Sequence, residues 1–193
     1  MVELVKQSVL SGFLVGLGII VNLSSPNPCI GAMLFSIALL VIIECNLKLY
    51  TGRIGYIQIT PIKDLAIMLL GNLIGVMIPI LAKYPLLHEQ LLAISVIKFS
   101  KTWFELFIDG FMCGALMFIA VHCKKYLITV FSIMTFILSG YEHCIANFPY
   151  LFINFNMGNL FKFGCIVLGN SAGSISINKM VRKDNEYESN CKI

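Results

Sequence analysis

A long apolar segment of this chain is interrupted at Ser139-Gly140-Tyr141-Glu142-His143-Cys144-Ile145-Ala146-Asn147-Phe148-Pro149, which brings an acid, an imidazole and an amide among hydrophobic side chains. An earlier apolar segment is interrupted in the same way at Glu44-Cys45-Asn46-Leu47-Lys48-Leu49-Tyr50-Thr51-Gly52-Arg53-Ile54-Gly55. Ionisable groups inside a bilayer must pair or meet water, and non-helical backbone at that depth must be buried in protein or line a cavity. Because glycine or proline marks both interruptions, we predict two broken membrane helices whose breaks bring Thr51 and His143 together across a pore.

The composition requires a membrane environment. Of the 193 residues, 58% are hydrophobic and only 12% are charged, and the mean hydropathy is +0.87. Soluble domains carry about 25% charged residues, so this composition excludes an ordinary soluble enzyme, a disordered chain, a nucleic-acid binder and a disulfide scaffold. A membrane helix needs about 20 apolar residues. The predicted spans are Gln7–Leu23, Ile30–Tyr50, Leu65–Ala82, Phe104–Val121, Tyr126–Asn147 and Phe161–Ile177.

The six predicted spans form two related halves. Gly12–Gly16 recurs as Gly110–Gly114 and Gly71–Gly75 recurs as Gly169–Gly173, both at an offset of 98 (110 − 12 and 169 − 71). A third match joins Phe35-Ser36-Ile37 to Phe131-Ser132-Ile133 at an offset of 96 (131 − 35). Each half has an odd number of spans, so the second half must cross the membrane inverted, an arrangement typical of transporters and channels.

The basic residues lie mainly on alternate connections, which sets the orientation of membrane helices. One side holds Lys6, Arg53, Lys63, Lys124, Lys125, Lys179, Arg182, Lys183 and Lys192, and the other holds Lys83, Lys98, Lys101 and Lys162. We therefore predict a multi-pass protein of the cytoplasmic (inner) membrane with both termini in the cytoplasm. Its predicted parts are one repeat in residues 1–88, a second in residues 89–180 and a cytoplasmic tail in residues 181–193.

Other polar groups have plainer interpretations. The glycine motifs predict close helix packing, with buried asparagine side chains bonded across helices. Glu44 and Lys48 are four residues apart with the acid first, so they are expected to pair at the end of span 2. Asp109 is either a helix-packing charge or an interface charge. His143 has a structural alternative as a histidine satisfied by a neighbouring helix. The partners that Glu142 and Asn147 offer, and the matching interruption in span 2, favour the pore.

The segment Gly140–Asn147 resembles the Gly-Phe-Glu-His-Ser-Val/Ile-Ala-Asn signature of the formate/nitrite transporter family. Leu49-Tyr50-Thr51-Gly52 resembles that family's Leu-Phe-Thr-Gly loop, and Asp109–Cys113 resembles its Arg-Gly-Ile-Leu-Cys segment. The Gly-Asn-x-x-Gly segments agree as well. The resemblance implies an aquaporin-like fold of six spans per protomer, a pentamer with one pore in each protomer, and passage of small monovalent anions or their conjugate acids.

The resemblance also implies roles for individual residues. The pore centre would comprise His143, Thr51, Glu142 and Asn147, and the hydrophobic constrictions would comprise Phe35, Leu39, Leu49, Tyr50, Met117 and Phe136. Lys98 would lie near the outer vestibule and raise the local anion concentration, helped by Lys101 and Lys162. Because a bare anion in an apolar pore is poorly solvated, the permeant would gain or share a proton near His143. Gly114 stands where the family usually has asparagine, which leaves substrate choice open.

Two other functions remain open. The first is a channel for a neutral solute such as urea, ammonia or water, although the aquaporin Asn-Pro-Ala pair is absent from the sequence. The second is a membrane enzyme that uses Glu142, His143 and Cys144, but adjacent loop residues rarely form the nucleophile–base pair that such chemistry needs. No H-E-x-x-H or cofactor motif occurs. We therefore expect no catalytic residue, no metal and no cofactor, with the lipid bilayer and other copies of the chain as partners.

Overall fold

The computed structural model describes residues 1–190, with side chains described through residue 181. The described residues form nine α-helices, with a short 3₁₀ turn at Ile54–Tyr56 after the third. Their bounds are α1 Val2–Ser24, α2 Pro28–Glu44, α3 Tyr50–Arg53, α4 Ile62–Ala82, α5 Tyr84–Ser100, α6 Trp103–Cys123, α7 Tyr126–Leu138, α8 Cys144–Ile153 and α9 Met157–Asn190. The predicted tail thus begins inside α9, and its residues 191–193 lie outside the described part of the chain.

Four described helices are long and apolar enough, by length and composition, to cross a membrane. They are α1, α4, α6 and the Met157–Val181 part of α9. Helices α2, α7 and α8 are apolar but shorter, so the count of six spans stays a prediction. Helix α5 precedes α6 and was not anticipated from the sequence, because its run of apolar residues is broken by the polar cluster at residues 88–90.

Side-chain caps fix where two of these helices begin. The Asn27 carboxamide oxygen accepts hydrogen bonds from the backbone N–H groups of Cys29 and Ile30, at 2.9 and 3.2 Å, directly before α2. At α6, the Thr102 hydroxyl accepts from the Glu105 N–H, and the Glu105 carboxylate accepts from the Thr102 N–H at 2.7 Å. These bonds satisfy N–H groups that a helix start leaves unpaired.

Close glycine contacts join α1 to α4 and α6 to α9. A Cβ atom added at Gly12 would overlap the carbonyl of Asn72, and one added at Gly114 would overlap the carbonyl of Asn170 in the same way. Gly12 therefore corresponds to Gly114 at an offset of 102 (114 − 12), and the predicted match of Gly12 with Gly110 is wrong by one helical turn. The error arises because glycines four residues apart lie on one helix face, so the pattern alone does not fix the register.

The apolar helices before the two interruptions end alike. Asn46 and Gly140 adopt positive φ angles of 51° and 70°, and in each case the next residue's N–H donates to the carbonyl five residues before it. This is the Schellman helix ending, and its offset is 94 (140 − 46). The predicted offset of 96 is therefore wrong by two, and the residues that it matched differ in burial: Phe35 is 6% exposed and Phe131 is 61% exposed.

The ending of α2 also separates Glu44 from Lys48. Glu44 is the last helical residue, and the chain turns at Asn46, so the four-residue spacing no longer places the two side chains on one helix face. Among the described residues, the Lys48 ammonium donates instead to the Asn46 carbonyl at 3.2 Å, and no ion pair joins it to Glu44. The predicted pair is wrong for this reason.

Candidate functional site

Two buried asparagines hold the starts of the short helices α8 and α3. The Asn170 carboxamide oxygen accepts from the Cys144 N–H at 2.8 Å, and its amide donates to the carbonyls of Glu142 and Gly110, both at 2.8 Å. All its polar atoms are thus used, and the side chain is fully buried. The first turn of α8, directly after His143, is therefore fixed to α9 and α6.

Asn72 plays the same part for α3. Its carboxamide oxygen accepts from the Tyr50 N–H at 2.8 Å, and its amide donates to the carbonyls of Lys48 and Ser8 at 2.9 and 2.7 Å. The Gly-Asn-x-x-Gly segments were predicted to bond across helices, but the sequence did not indicate that they bond to the residues beside Thr51 and His143.

These two short helices bring Thr51 and His143 into contact. The Thr51 hydroxyl lies 2.9 Å from His143 Nε2, and both residues are buried. His143 is also the N-cap of α8, where its Nδ1 accepts from the Ala146 N–H at 3.2 Å. Because Nδ1 is an acceptor, the neutral imidazole carries its hydrogen on Nε2, and His143 donates to the Thr51 hydroxyl.

Three cavities follow one another past His143. One of about 190 Å³ has His143, Lys98, Phe35 and Phe136 among its lining residues. A void of about 10 Å³ shares His143, Phe35 and Phe136 with it. A third cavity of about 650 Å³ shares Leu49 with the void. The two larger spaces therefore approach each other through a nearly closed apolar gap beside the imidazole.

Most of the predicted constriction lines this gap. The residues around the void include Phe35, Leu39, Leu49, Met117 and Phe136. The rings of Phe35 and Phe136 meet edge to face with centroids 6.1 Å apart, and Phe136 stacks on His143 at 5.8 Å. Tyr50 differs, because its hydroxyl pairs with the Ser171 hydroxyl at 2.8 Å and it is absent from the residues lining these three cavities.

Thr51 and Glu142 are buried completely and are likewise absent from the lining of the three cavities. Thr51 is joined to that lining only by its hydrogen bond to His143. Asn147 does line the 190 Å³ cavity, where its amide donates to the His143 carbonyl at 2.9 Å. Its carboxamide oxygen is buried with no hydrogen-bond partner among the described residues, so one acceptor of Asn147 remains unused.

A four-membered ion network includes the predicted vestibule lysine. The Lys98 ammonium pairs with the buried Glu142 carboxylate. Lys101 bridges Glu142 and Asp109, at 3.0 and 2.7 Å. Burial opposes the charge of Lys101, but the two carboxylates hold the pKa of Lys101 above its usual value. The third predicted vestibule lysine, Lys162, donates to a backbone carbonyl at 2.6 Å.

These observations define a helical membrane protein of the transport class. The sequence matches the formate/nitrite transporter family over residues 1–181, and the chain belongs to that family. It is 26% identical over 146 residues to the formate channel FocA of Haemophilus influenzae. The match covers 61% of this chain and 51% of that protein. The chain therefore spans about half the length of this curated relative.

Two solved structures share the fold. An FNT family ion channel superposes with a TM-score of 0.76 at 23% identity, covering 90% of this chain and 86% of that one. A pentameric formate channel with formate bound gives a TM-score of 0.77 at 18% identity, covering 96% of this chain and 97% of that one.

Proposed function

We propose that this chain is a channel for small monovalent weak-acid anions, such as formate, nitrite or hydrosulfide, which cross with the help of a proton shared near His143. The observation that carries the proposal is the His143 imidazole beside an apolar void of about 10 Å³ that lies between two larger cavities. Membership of the formate/nitrite transporter family supports it.

The proposed topology has six crossings. The long helices α1, α4, α6 and α9 provide four, and the pairs α2–α3 and α7–α8 provide two broken ones. The halves, residues 1–88 and 89–180, are related by inversion. Both termini lie in the cytoplasm, and the protein forms a homopentamer in the inner membrane. The equivalent bonds of Asn72 and Asn170 support two related halves.

The apolar void explains why a proton is needed. A carboxylate or similar anion that enters it loses its water and finds few polar partners, which costs far more than the passage of the neutral acid. An anion in the adjoining cavity accepts the Nε2–H of His143 in place of the Thr51 hydroxyl, which accepts that hydrogen in the structure. Once protonated, its own O–H or S–H finds an acceptor in the free carboxamide oxygen of Asn147. The neutral acid then crosses between Phe35 and Phe136.

The proton itself has a restricted route at His143. Nδ1 already accepts the Ala146 N–H, so a second proton on the ring would oppose that donor. His143 therefore works from Nε2, as a hydrogen-bond donor to the anion, while the proton that neutralises the anion is relayed from the solution in the vestibule.

The test is flux into proteoliposomes, measured by stopped-flow light scattering at two pH values for formate, nitrite, hydrosulfide, chloride and urea. We expect weak-acid anions to pass faster at the lower pH, and His143→Phe to lose that flux. His143→Gln retains an N–H donor but does not titrate, so retained flux would favour donation from Nε2 over proton transfer through the ring. Unchanged flux and pH response in His143→Phe would refute the role of His143. Rapid urea flux without anion flux would favour the neutral-solute channel.

A further inference from the structure

The charges beside the 190 Å³ cavity cancel one another. Lys98 is the only lysine, arginine, aspartate or glutamate among its lining residues, and its ammonium is paired with Glu142. Lys101 reaches the same edge, because it donates to the carbonyl of Gly140, a lining residue, at 3.2 Å. Lys101 is paired in turn with Glu142 and Asp109. Two ammonium groups therefore face two carboxylates, with a formal net charge of zero.

Asp109 completes this cancellation. Glu142 is 1% exposed at its side chain, and each of its carboxylate oxygens contacts a lysine. Asp109 is 22% exposed and contacts only Lys101 among the ion pairs of the described residues. Without Asp109, one ammonium charge beside the cavity would have no carboxylate of its own. Two other charged groups lie nearby. Glu105 is exposed and caps α6 through Thr102, and Lys162 donates to the Phe99 carbonyl and is absent from the lining of this cavity.

We propose that Asp109 is a specificity-determining residue that keeps this vestibule electrically neutral and so limits the entry of anions. The inference rests on the proposed anion-channel function and concerns the rate of entry, not the step at His143. A positive vestibule would concentrate anions at the mouth, as charged clefts do for charged substrates. A neutral vestibule does not concentrate the anion. It therefore favours the anion less strongly over the uncharged conjugate acid.

The expected size of the effect follows from Coulomb's law. One unit charge about 7–10 Å from the permeant, with an effective dielectric constant of about 40–80, changes the local anion concentration about 2- to 7-fold. Neutralising Asp109 should therefore raise anion flux by that factor at low anion concentration and low ionic strength. The gain should disappear near 1 M salt, where the Debye length is about 3 Å.

Formate flux in proteoliposomes tests this inference through a charge series. Asp109→Asn keeps an oxygen that can accept from Lys101 and makes the network positive by one unit. Lys101→Gln makes it negative by one unit, and the double variant is neutral again. We expect Asp109→Asn to exceed the parent, Lys101→Gln to fall below it, and the double variant to lose the gain of the single Asp109→Asn change. Asp109→Ser is the second test should the asparagine variant fail to assemble.

Asp64→Asn is the matched control, because it also removes one carboxylate but lies in the first turn of α4, outside the network. It should leave formate flux unchanged. If the parent passes formate but Asp109→Asn and Asp109→Ser pass no more of it at low salt, the inference is overturned and the channel function stands. A gain that persists in the double variant, or in 1 M salt, would also overturn it. A parent that passes no anion would overturn the proposed function itself.

Discussion

Asn170 offers a direct measure of what holds the candidate site in place. Replacement by alanine removes three hydrogen bonds at once, those with Cys144, Glu142 and Gly110. Side-chain hydrogen bonds in membrane proteins average about 0.6 kcal/mol and reach about 1.7 kcal/mol. Three of them give about 2–5 kcal/mol, and we expect Asn170→Ala to lower the free energy of unfolding by that amount.

The assay is reversible unfolding in mixed detergent micelles during a titration with sodium dodecyl sulfate, followed by far-ultraviolet circular dichroism. Asn72→Ala is the matched variant, because its three bonds correspond one to one with those of Asn170, so the two losses should agree within about 1 kcal/mol. Gln7→Ala is the control. Its side chain makes one exposed bond to Glu3, so we expect a change below about 0.5 kcal/mol.

The same variant should impair transport, because Asn170 fixes the first turn of α8 and His143 precedes that turn. If Asn170→Ala unfolds within about 1 kcal/mol of Gln7→Ala, the three bonds contribute little and the reasoning is refuted. Full stability with lost flux would instead mean that Asn170 positions His143 without stabilising the fold.

The glycine and phenylalanine positions give two further predictions. Gly114→Ala should lower the free energy of unfolding by about 1–3 kcal/mol, because the added methyl group overpacks against the Asn170 carbonyl. Gly164→Ala should raise it by up to about 1 kcal/mol, because no atom lies within 4 Å of the added methyl group and alanine favours the helix over glycine. Equal effects of the two changes would contradict the close contact of α6 with α9. Phe136→Ala should widen the gap next to Phe35 and raise acetate flux relative to formate flux, about tenfold if it removes a barrier of about 1.4 kcal/mol. Phe131→Ala, an exposed change on the same helix, is the control and should leave that ratio unaltered. If Phe136→Ala also left the ratio unaltered, the constriction would lie elsewhere.

Much of the site could be predicted because the strongest signals are local. Buried polar groups are rare in membrane segments, so the interruptions around Thr51 and His143 stand out against apolar sequence. The helix endings at Asn46 and Gly140 lie within those interruptions. The aromatic and aliphatic residues expected at the constriction were implied by the resemblance to the formate/nitrite transporter family, and most of them do line the central void.

The register of the repeat could not be predicted in the same way. A small-xxx-small pattern gives the face of a helix, but a shift of four residues leaves that face unchanged. Only the contacts of Gly12 with Asn72, and of Gly114 with Asn170, fix the offset between α1 and α6 at 102, while the two asparagines keep the predicted offset of 98 (170 − 72). The direction of Tyr50 likewise depends on Ser171, 121 residues away in the chain.

The sequence by itself determined the membrane class, two interrupted apolar segments and a histidine at one of them, because hydropathy and helix breaking act over a few turns of chain. The two related halves are its prediction. The tertiary structure decided which charges cancel. Lys98, Lys101, Asp109 and Glu142 belong to different elements, and whether a lysine is a free cation or half of an ion pair depends on a separation of about 3 Å. Electrostatic pairing falls off over such short distances that sequence spacing across several helices cannot report it.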